Sequence, residues 1–174
     1  MTTPSHVTDA PRRLEVELLA LDLDTCRRCT ATAASLDAAL EAVLSVLRDA
    51  GVDVDVRRTV VRTRAEAEAL RFVTSPTIRV DGRDIALELR ESPCADCGSL
   101  CGCDGGIDCR VWVWRGREYT EAPKAMIVDA VLRGYAATGP RAPHEAYRMP
   151  DNLRRFFDEK RTGPASCCGE GAGS

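Results

Sequence analysis

Cysteine is the residue type with the most evident chemistry in this sequence, and nine cysteines occur in 174 residues. Cys26 and Cys29 form a Cys-x-x-Cys motif between an apolar segment at residues 14–21, which predicts a buried strand, and a segment of helical periodicity from Ala31. A thiol at the start of a helix lies near free backbone N–H groups and the positive end of the helix dipole, which both stabilise a thiolate. We therefore expect Cys26 to attack disulfides as a thiolate of lowered pKa and Cys29 to be the buried resolving thiol.

Two arginines, Arg27 and Arg28, stand between these thiols and add positive charge that favours the thiolate. Stabilising the thiolate also makes the pair more oxidising than one with neutral residues between the sulfurs. The motif has two other interpretations, half of a structural metal site and two inert buried thiols. The helix-start position and the arginines favour the redox interpretation.

A second group of five cysteines lies within sixteen residues and is interleaved with glycines. It consists of Cys94, Cys97, Cys101, Cys103 and Cys109. The Cys94-x-x-Cys97 spacing is typical of a zinc knuckle, and one or two of the other three could complete a tetrahedral site of four sulfurs. Few apolar residues occur in this segment, so a bound metal would order it. We expect Zn²⁺ here, with disulfides or a disordered loop as the alternatives, and we expect no organic cofactor.

A third group, the adjacent Cys167 and Cys168, lies in a Gly- and Ser-rich C-terminal segment that we expect to be flexible. Adjacent thiols on a flexible tail can bind a soft metal ion or reach another disulfide. The alternative is a tail without a role.

Local patterns indicate the elements that would position these thiols. Apolar residues after Cys29 fall on one helical face, and Gly51 is a typical helix end. Thr63 with Glu66 resembles a capping box, and Asp81-Gly82 between apolar stretches predicts a hairpin. The predicted elements are a strand at 14–21, a helix from 31 to 50, a strand from 52, a helix at 65–72, hairpin strands at 74–80 and 83–89, a small hairpin at 110–119, a helix at 123–137 and a short helix at 150–160.

The order strand, Cys-x-x-Cys, helix, strand, helix, Ser75-Pro76-Thr77, hairpin and later helix resembles the thioredoxin fold. The resemblance covers residues 12–89 and the helix at 123–137. It implies an α/β fold with a mixed sheet flanked by helices, in which the first two strands are parallel. It also implies a cis bond before Pro76, close to the Cys26 sulfur, and binding of substrate main chain by Ser75.

More narrowly, four segments resemble the thioredoxin-like family called domain of unknown function 2703. They are Cys-Arg-Arg-Cys at 26–29, Ser-Pro-Thr-Ile-Arg-Val-Asp-Gly-Arg-Asp-Ile at 75–85, Glu-Ser-x-Cys-x-x-Cys at 91–97 and Cys-Arg-Val-Trp at 109–112. This resemblance implies a fold and names no substrate. The Cys-rich stretch at about 90–121 is then an insertion before the last core helix.

Composition limits the classes of function. The net charge is -3 and the pI is near 5.5, so nothing indicates nucleic acid binding. No apolar run approaches the roughly 20 residues of a membrane span, so we expect no membrane partner. Residues 1–11 are polar and lack the basic start and apolar stretch of a signal peptide, so we expect a cytoplasmic protein with reduced thiols.

We expect a disordered leader at 1–11, a thioredoxin-like domain at 12–137, and a linker, short helix and flexible Cys-Cys tail at 138–174. The preferred function is a thiol–disulfide oxidoreductase whose partners are protein or small-molecule thiols and disulfides. The second function is binding of soft metals or metalloids, such as mercury or arsenic species, without turnover. The third is a structural zinc protein that serves as an interaction module.

Overall fold

A computed structural model of the chain describes residues 12–103, 106–137 and 146–162. The predictions made for the leader at 1–11, the linker from residue 138 and the Cys167–Cys168 pair lie outside these residues. Within them, the chain forms seven strands and five helices. The strands are β1 (Arg12–Ala20), β2 (Val52–Val60), β3 (Thr77–Val80), β4 (Arg83–Asp84), β5 (Arg90–Cys94), β6 (Ile107–Trp114) and β7 (Arg117–Tyr119). The helices are α1 (Arg27–Asp49), α2 (Arg64–Ala69), α3 (Ala95–Cys101), α4 (Lys124–Ala136) and α5 (Asp151–Thr162).

Strand β1 is central in a four-stranded mixed sheet of order β2-β1-β3-β4. It pairs with β2 in parallel, where Leu14 is opposite Val54, and with β3 in antiparallel orientation, where Leu18 is opposite Ile78. The parallel pairing of the first two strands across α1 confirms the prediction. The arrangement, a mixed sheet flanked by helices, is compatible with the thioredoxin-like fold.

Successive side chains of β1 point to opposite faces of the sheet, and they contribute to two cores. Leu14, Val16 and Leu18 pack with residues of α1 and α4, including Leu36 and Ile127, in what we call the first core. Aliphatic side chains at helical spacing on α1 and α4 explain why these helices lie on that face.

The second core contains Leu19 and Leu21 from β1 and its end, Phe72, and residues of α5 such as Phe156. It differs from the first core in composition because seven buried cysteines belong to it. These cysteines are Cys26, Cys29, Cys94, Cys97, Cys101, Cys103 and Cys109.

Helix α1 is the one helix in the described part of the chain with the length and apolar composition of a membrane-crossing helix. Core helices of globular proteins pass the same test. Leu36, Leu40 and Leu47 on one face of α1 are buried against the rest of the protein, as in such a core helix.

Several local predictions are confirmed, and others are corrected. The helix predicted from residue 31 begins at Arg27, the helix predicted at 65–72 ends at Ala69, and the strand predicted at 74–80 begins at Thr77. The capping box of Thr63 and Glu66 starts α2, and the turn at Asp81-Gly82 joins β3 to β4. The predicted strand at 83–89 is wrong beyond Asp84, where β4 ends. The Asp84 carboxylate accepts the Ala86 N–H and pairs with the Arg110 guanidinium, which turns the chain out of the sheet.

The insertion, residues 90–121, forms a second sheet of order β5-β6-β7 with α3 between its first two strands. The strands are antiparallel, and Ser92 lies opposite Cys109. One backbone hydrogen bond, 2.7 Å from the Arg110 nitrogen to the Ser75 carbonyl oxygen, joins this sheet to the segment before β3. Helix α5 packs against α3 and β6.

Candidate metal centre

Four cysteine sulfurs meet in the second core. The Sγ atoms of Cys26, Cys94, Cys97 and Cys109, which we call the four-cysteine cluster, all lie within 4.8 Å of one another. The Cys26 sulfur is 3.9 Å from that of Cys94 and 3.6 Å from that of Cys97, and the Cys97 and Cys109 sulfurs are 3.3 Å apart. The cluster could therefore hold a metal ion.

Each pair of cysteines in a Cys-x-x-Cys motif has the same relation to a helix. Cys26 is the N-cap residue of α1 and Cys94 is the N-cap residue of α3, and neither helix has a side-chain cap hydrogen bond from its N-cap residue. Cys29 and Cys97 lie three residues further, one turn into each helix. The sulfurs at the two N-caps are thus near the positive ends of two helix dipoles.

The carboxylate of Asp22 fixes the approach to α1. Its Oδ1 accepts the backbone N–H groups of Asp24, Thr25 and Cys26, the last at 2.7 Å. Burial raises the pKa of Asp22, but these three N–H donors outweigh it and leave the pKa lowered. Asp22 therefore positions Cys26. In the sequence, the Asp-x-Asp-Thr pattern at 22–25 could have indicated this role, because it is typical of turns in which a side chain hydrogen bonds to nearby backbone groups.

Two further residues tie α1 to the insertion. The Asp96 carboxylate of α3 accepts the Arg27 N–H at 2.9 Å and forms an ion pair with the Arg27 guanidinium. The Arg28 guanidinium donates to the carbonyl oxygens of Ser92, Pro93 and Cys109. Both predicted thiolate-stabilising arginines thus hold the elements that carry the cluster.

Cys29 is close to the four-cysteine cluster but is not one of its members. Its side chain is completely buried, and its sulfur is 3.4 Å from the Ser75 hydroxyl oxygen. The position is suited to a fifth thiol that supports the cluster or exchanges with its nearest members.

The peptide bond between Ser75 and Pro76 is cis. Ser75 is completely buried, and its hydroxyl accepts the Leu21 N–H at 3.0 Å. Its carbonyl oxygen accepts the Arg110 N–H, as described above. The insertion therefore hydrogen bonds to the backbone of Ser75, the residue whose backbone the sequence resemblance assigned to binding substrate main chain.

The thiols of the cluster divide into two with lowered and two with raised pKa values. Hydrogen bonding from Cys109 is the main cause that holds the pKa of Cys26 far below its usual range. Hydrogen bonding from Cys109 also lowers the pKa of Cys94 to about 6, although Cys26 acts to raise the pKa of Cys94. The pKa of Cys97 is raised mainly by its hydrogen bond with Cys109, and the pKa of Cys109 mainly by its hydrogen bond with Cys26. The pKa of Cys29 is also raised, to about 12, because of its hydrogen bond to Cys26 and its burial.

These shifts have one physical origin. Thiolates at such short separations repel one another, so ionisation of two sulfurs keeps their neighbours protonated as hydrogen-bond donors. A divalent cation between the sulfurs would remove this conflict and allow all four to ionise.

Cys94 is the cluster member that borders open space. It lines a cavity of about 390 Å³ together with residues at the starts of α1 and α3, among them Arg27, Arg28 and Asp96, and with Thr120 and Glu121. Cys26, Cys97 and Cys109 are completely buried. An ion or a small thiol could therefore reach the cluster at Cys94.

The structure divides the cysteines differently from the sequence-based grouping. Cys94, Cys97 and Cys109 of the expected zinc group lie together with Cys26 of the expected redox pair. Cys101 and Cys103 are joined by a disulfide and form a separate group with Glu159. Cys97 lies in the first turn of α3, whereas Cys101 is its last residue and lies next to the turn that leads to Cys103.

The fold and this site define a class, an α/β protein compatible with the thioredoxin-like fold whose Cys-x-x-Cys motif is part of a buried cysteine cluster. A family model described as a domain of unknown function, DUF2703, matches residues 14–131. The match covers more than half of the chain, and the protein belongs to this family. No curated protein and no solved structure was found to match the chain.

Proposed function

We propose that this protein binds Zn²⁺ in a closed site of four thiolates, supplied by Cys26, Cys94, Cys97 and Cys109. One observation carries the proposal: four buried sulfurs from separate parts of the chain lie within 4.8 Å of one another. A structural zinc site requires four ligand atoms that converge in this way.

The distances support a single ion. Zinc–sulfur bonds of about 2.3 Å in a tetrahedron place the sulfurs roughly 3.8 Å apart. The three sulfur–sulfur distances given above, 3.3, 3.6 and 3.9 Å, lie around that value. An all-sulfur set is also suited to softer ions, so Cd²⁺ and Hg²⁺ would compete for the same site.

The proposed ion would fasten the insertion to the start of α1. Cys26 is the N-cap residue of α1, and the other three ligands belong to β5, α3 and β6, so the ion would join the start of α1 to three elements of the insertion. A zinc-bound Cys26 is not a free nucleophile, so the proposal replaces disulfide turnover by metal binding as the principal activity.

The test is zinc content after anaerobic purification. We expect zinc at the four-cysteine cluster of the wild type, and Cys26→Ser and Cys109→Ser should each hold one tightly bound equivalent fewer, with affinity at the cluster reduced by more than about a hundredfold, the upper range for loss of an outer-shell partner. Cys29→Ser is the matched control, since it removes a buried thiol of the same motif and should keep the zinc. Equal zinc content in Cys26→Ser and in the wild type would overturn the proposal.

A second candidate function is thiol–disulfide exchange by Cys26 and Cys29 in the metal-free protein. The effect of Cys26 on the pKa of Cys29 favours it, because both thiols of the motif are buried in the same core. Reduction of a small disulfide by metal-free protein, lost in Cys26→Ser, would support this function. Absence of turnover in the metal-free wild type would dismiss it.

A further inference from the structure

A second group of metal-ligating atoms lies outside the four-cysteine cluster. The Sγ atoms of Cys101 and Cys103 and a carboxylate oxygen of Glu159 all lie within 4.8 Å of one another. Both cysteines are buried, and Glu159 is half-buried. We infer that Cys101, Cys103 and Glu159 form a second site for a thiophilic divalent cation when the two cysteines are reduced.

The backbone between the two cysteines brings their side chains together. Cys101 ends α3, and Gly102 follows in the left-handed region with φ of 67°, which a residue with a side chain adopts only with strain. The turn leaves the Cα atoms of Cys101 and Cys103 5.2 Å apart. A Cys-Gly-Cys segment in this conformation can chelate one ion with both sulfurs.

Helix α5 brings the third ligand and is firmly held at this place. The Asn152 side chain accepts the Asp108 N–H and donates to the Asp108 carbonyl oxygen at 2.7 Å. Arg155 donates to the Gly106 carbonyl oxygen, and Phe156 is buried in the second core. Glu159 follows Phe156 by three residues, so both lie on adjacent positions of one helix face.

The donor set differs in kind from that of the four-cysteine cluster. Two thiolates and one carboxylate are typical of Zn²⁺, and three protein ligands leave the fourth position of a tetrahedron to water or an exchanging ligand. The site is therefore open. Glu159 lies beyond residues 14–131, so the second site depends on a helix outside the family match.

The redox state of Cys101 and Cys103 controls this site. In the structure the two sulfurs form a disulfide, which offers no thiolate to a metal. A dithiol reductant supplies two electrons and two protons, so the sulfur–sulfur bond breaks, two thiols form, and the reductant becomes a disulfide. The two thiol protons are then released when the cation binds.

The experiment is an anaerobic titration of the full-length, fully reduced protein with Zn²⁺ alone and with Cd²⁺ alone. We expect two equivalents in the wild type and one in Cys103→Ser. Glu159→Gln should keep both but bind the second at least tenfold more weakly, whereas Asp158→Asn, a change of the adjacent carboxylate, should leave both affinities unchanged. An oxidised dithiol added to the loaded protein should release one equivalent only, with formation of one disulfide.

The second site shares no ligand with the four-cysteine cluster, so the experiment can contradict either proposal without contradicting the other. Cys26→Ser should lose the first equivalent and keep the second. A single equivalent in the reduced wild type, or equal second affinities in Glu159→Gln and wild type, would overturn the inference. Loss of the second equivalent in a Cys167→Ser, Cys168→Ser variant with Glu159 intact would also overturn it, since the tail would then supply the ligands.

Discussion

Arg28 is the residue through which α1 contacts both β5 and β6. Its guanidinium donates to three carbonyl oxygens and to the Ser92 hydroxyl, and no carboxylate pairs with it among the described residues. A zinc ion with four thiolates has a net charge of about −2, and a guanidinium beside it stabilises that charge. Arg27 differs, because its exposed side chain is paired with Asp96.

Arg28→Met should therefore weaken zinc binding by about tenfold to a hundredfold, the range for partners that orient ligands. Loss of four hydrogen bonds that fix β5 and β6 and loss of one positive charge both weaken zinc binding. Competition with a chelator of known affinity measures the effect. Arg27→Gln is the matched control, and a loss in that variant equal to the loss in Arg28→Met would contradict the assignment.

The thiol pKa values predict how pH changes the stability of the metal-free, reduced protein. Cys94, at about 6 against an ordinary 9.0, contributes stability that is present above pH 9 and lost as pH falls through 6. Cys29, at about 12, contributes stability that is present below pH 9 and lost as pH rises toward 12. The free energy of unfolding should thus be greatest near pH 9.

Urea unfolding at pH 6, 7.5, 9 and 10.5 with a reductant and a chelator measures this dependence. Cys94→Ser should lose much of the rise between pH 6 and 9, because serine does not titrate there. A wild type whose unfolding free energy falls steadily from pH 6 to 9 would show that the cluster thiols do not ionise as described.

At the scale of elements, Gly98 allows α3 to approach the segment that leads into β6. A Cβ atom at Gly98 would lie 3.0 Å from the Gly106 Cα and 3.5 Å from the Ile107 nitrogen. Gly98→Ala gains about 1 kcal/mol of helix propensity, but overpacking of this kind costs about 1–3 kcal/mol. Because the backbone must shift between Cys97 and Cys109, zinc affinity should fall as well.

Chelator competition and urea unfolding of Gly98→Ala test this expectation. Ser99→Ala is the control, since it adds alanine to the same helix at an exposed position. Unchanged zinc affinity in Gly98→Ala would mean that the approach of α3 to residues 106 and 107 does not set the cluster geometry.

Much of the element order could be predicted because its signals are local. The spacing of Leu36 and Leu40, the capping box at Thr63 and the turn at Asp81 each specify structure within a few residues. The end of β4 could not be predicted, since it depends on the pairing of Asp84 with the Arg110 guanidinium, 26 residues away.

The division of the cysteines into two groups also could not be predicted, because it depends on contacts between residues that are distant in the sequence. Cys26 is 68 residues from Cys94 and 71 from Cys97, and sequence spacing does not say which side chains meet across such intervals. The contact depends on the docking of the insertion, through the Arg110 N–H and the Ser75 carbonyl, and on Arg28. The sequence could indicate metal chemistry in the insertion and, as an alternative, half of a metal site at Cys26 and Cys29, but not that the Cys26 sulfur would lie among those of the insertion.

At the scale of the whole molecule, the two cores have different sources of stability. The first core is built of aliphatic and aromatic side chains from β1, α1, β3 and α4, and burial of these side chains stabilises it directly. Seven of the buried residues of the second core are cysteines, which are small and contribute less by burial. We therefore expect the second core to depend on the proposed zinc ion.

Zinc removal should then destabilise the two cores unequally. An ion present at 1,000 times its dissociation constant stabilises the state that binds it by about 4 kcal/mol, so chelation should lower the melting temperature by several degrees. Amide hydrogen exchange should rise most at residues 90–112 and 22–30, which carry the ligands, and least in β1 and α4. The Cys26→Ser variant, without chelator, should give the same pattern. Equal acceleration in β1 and in β6 would show instead that both cores open as one unit, and the zinc would then stabilise the entire fold rather than the attachment of the insertion.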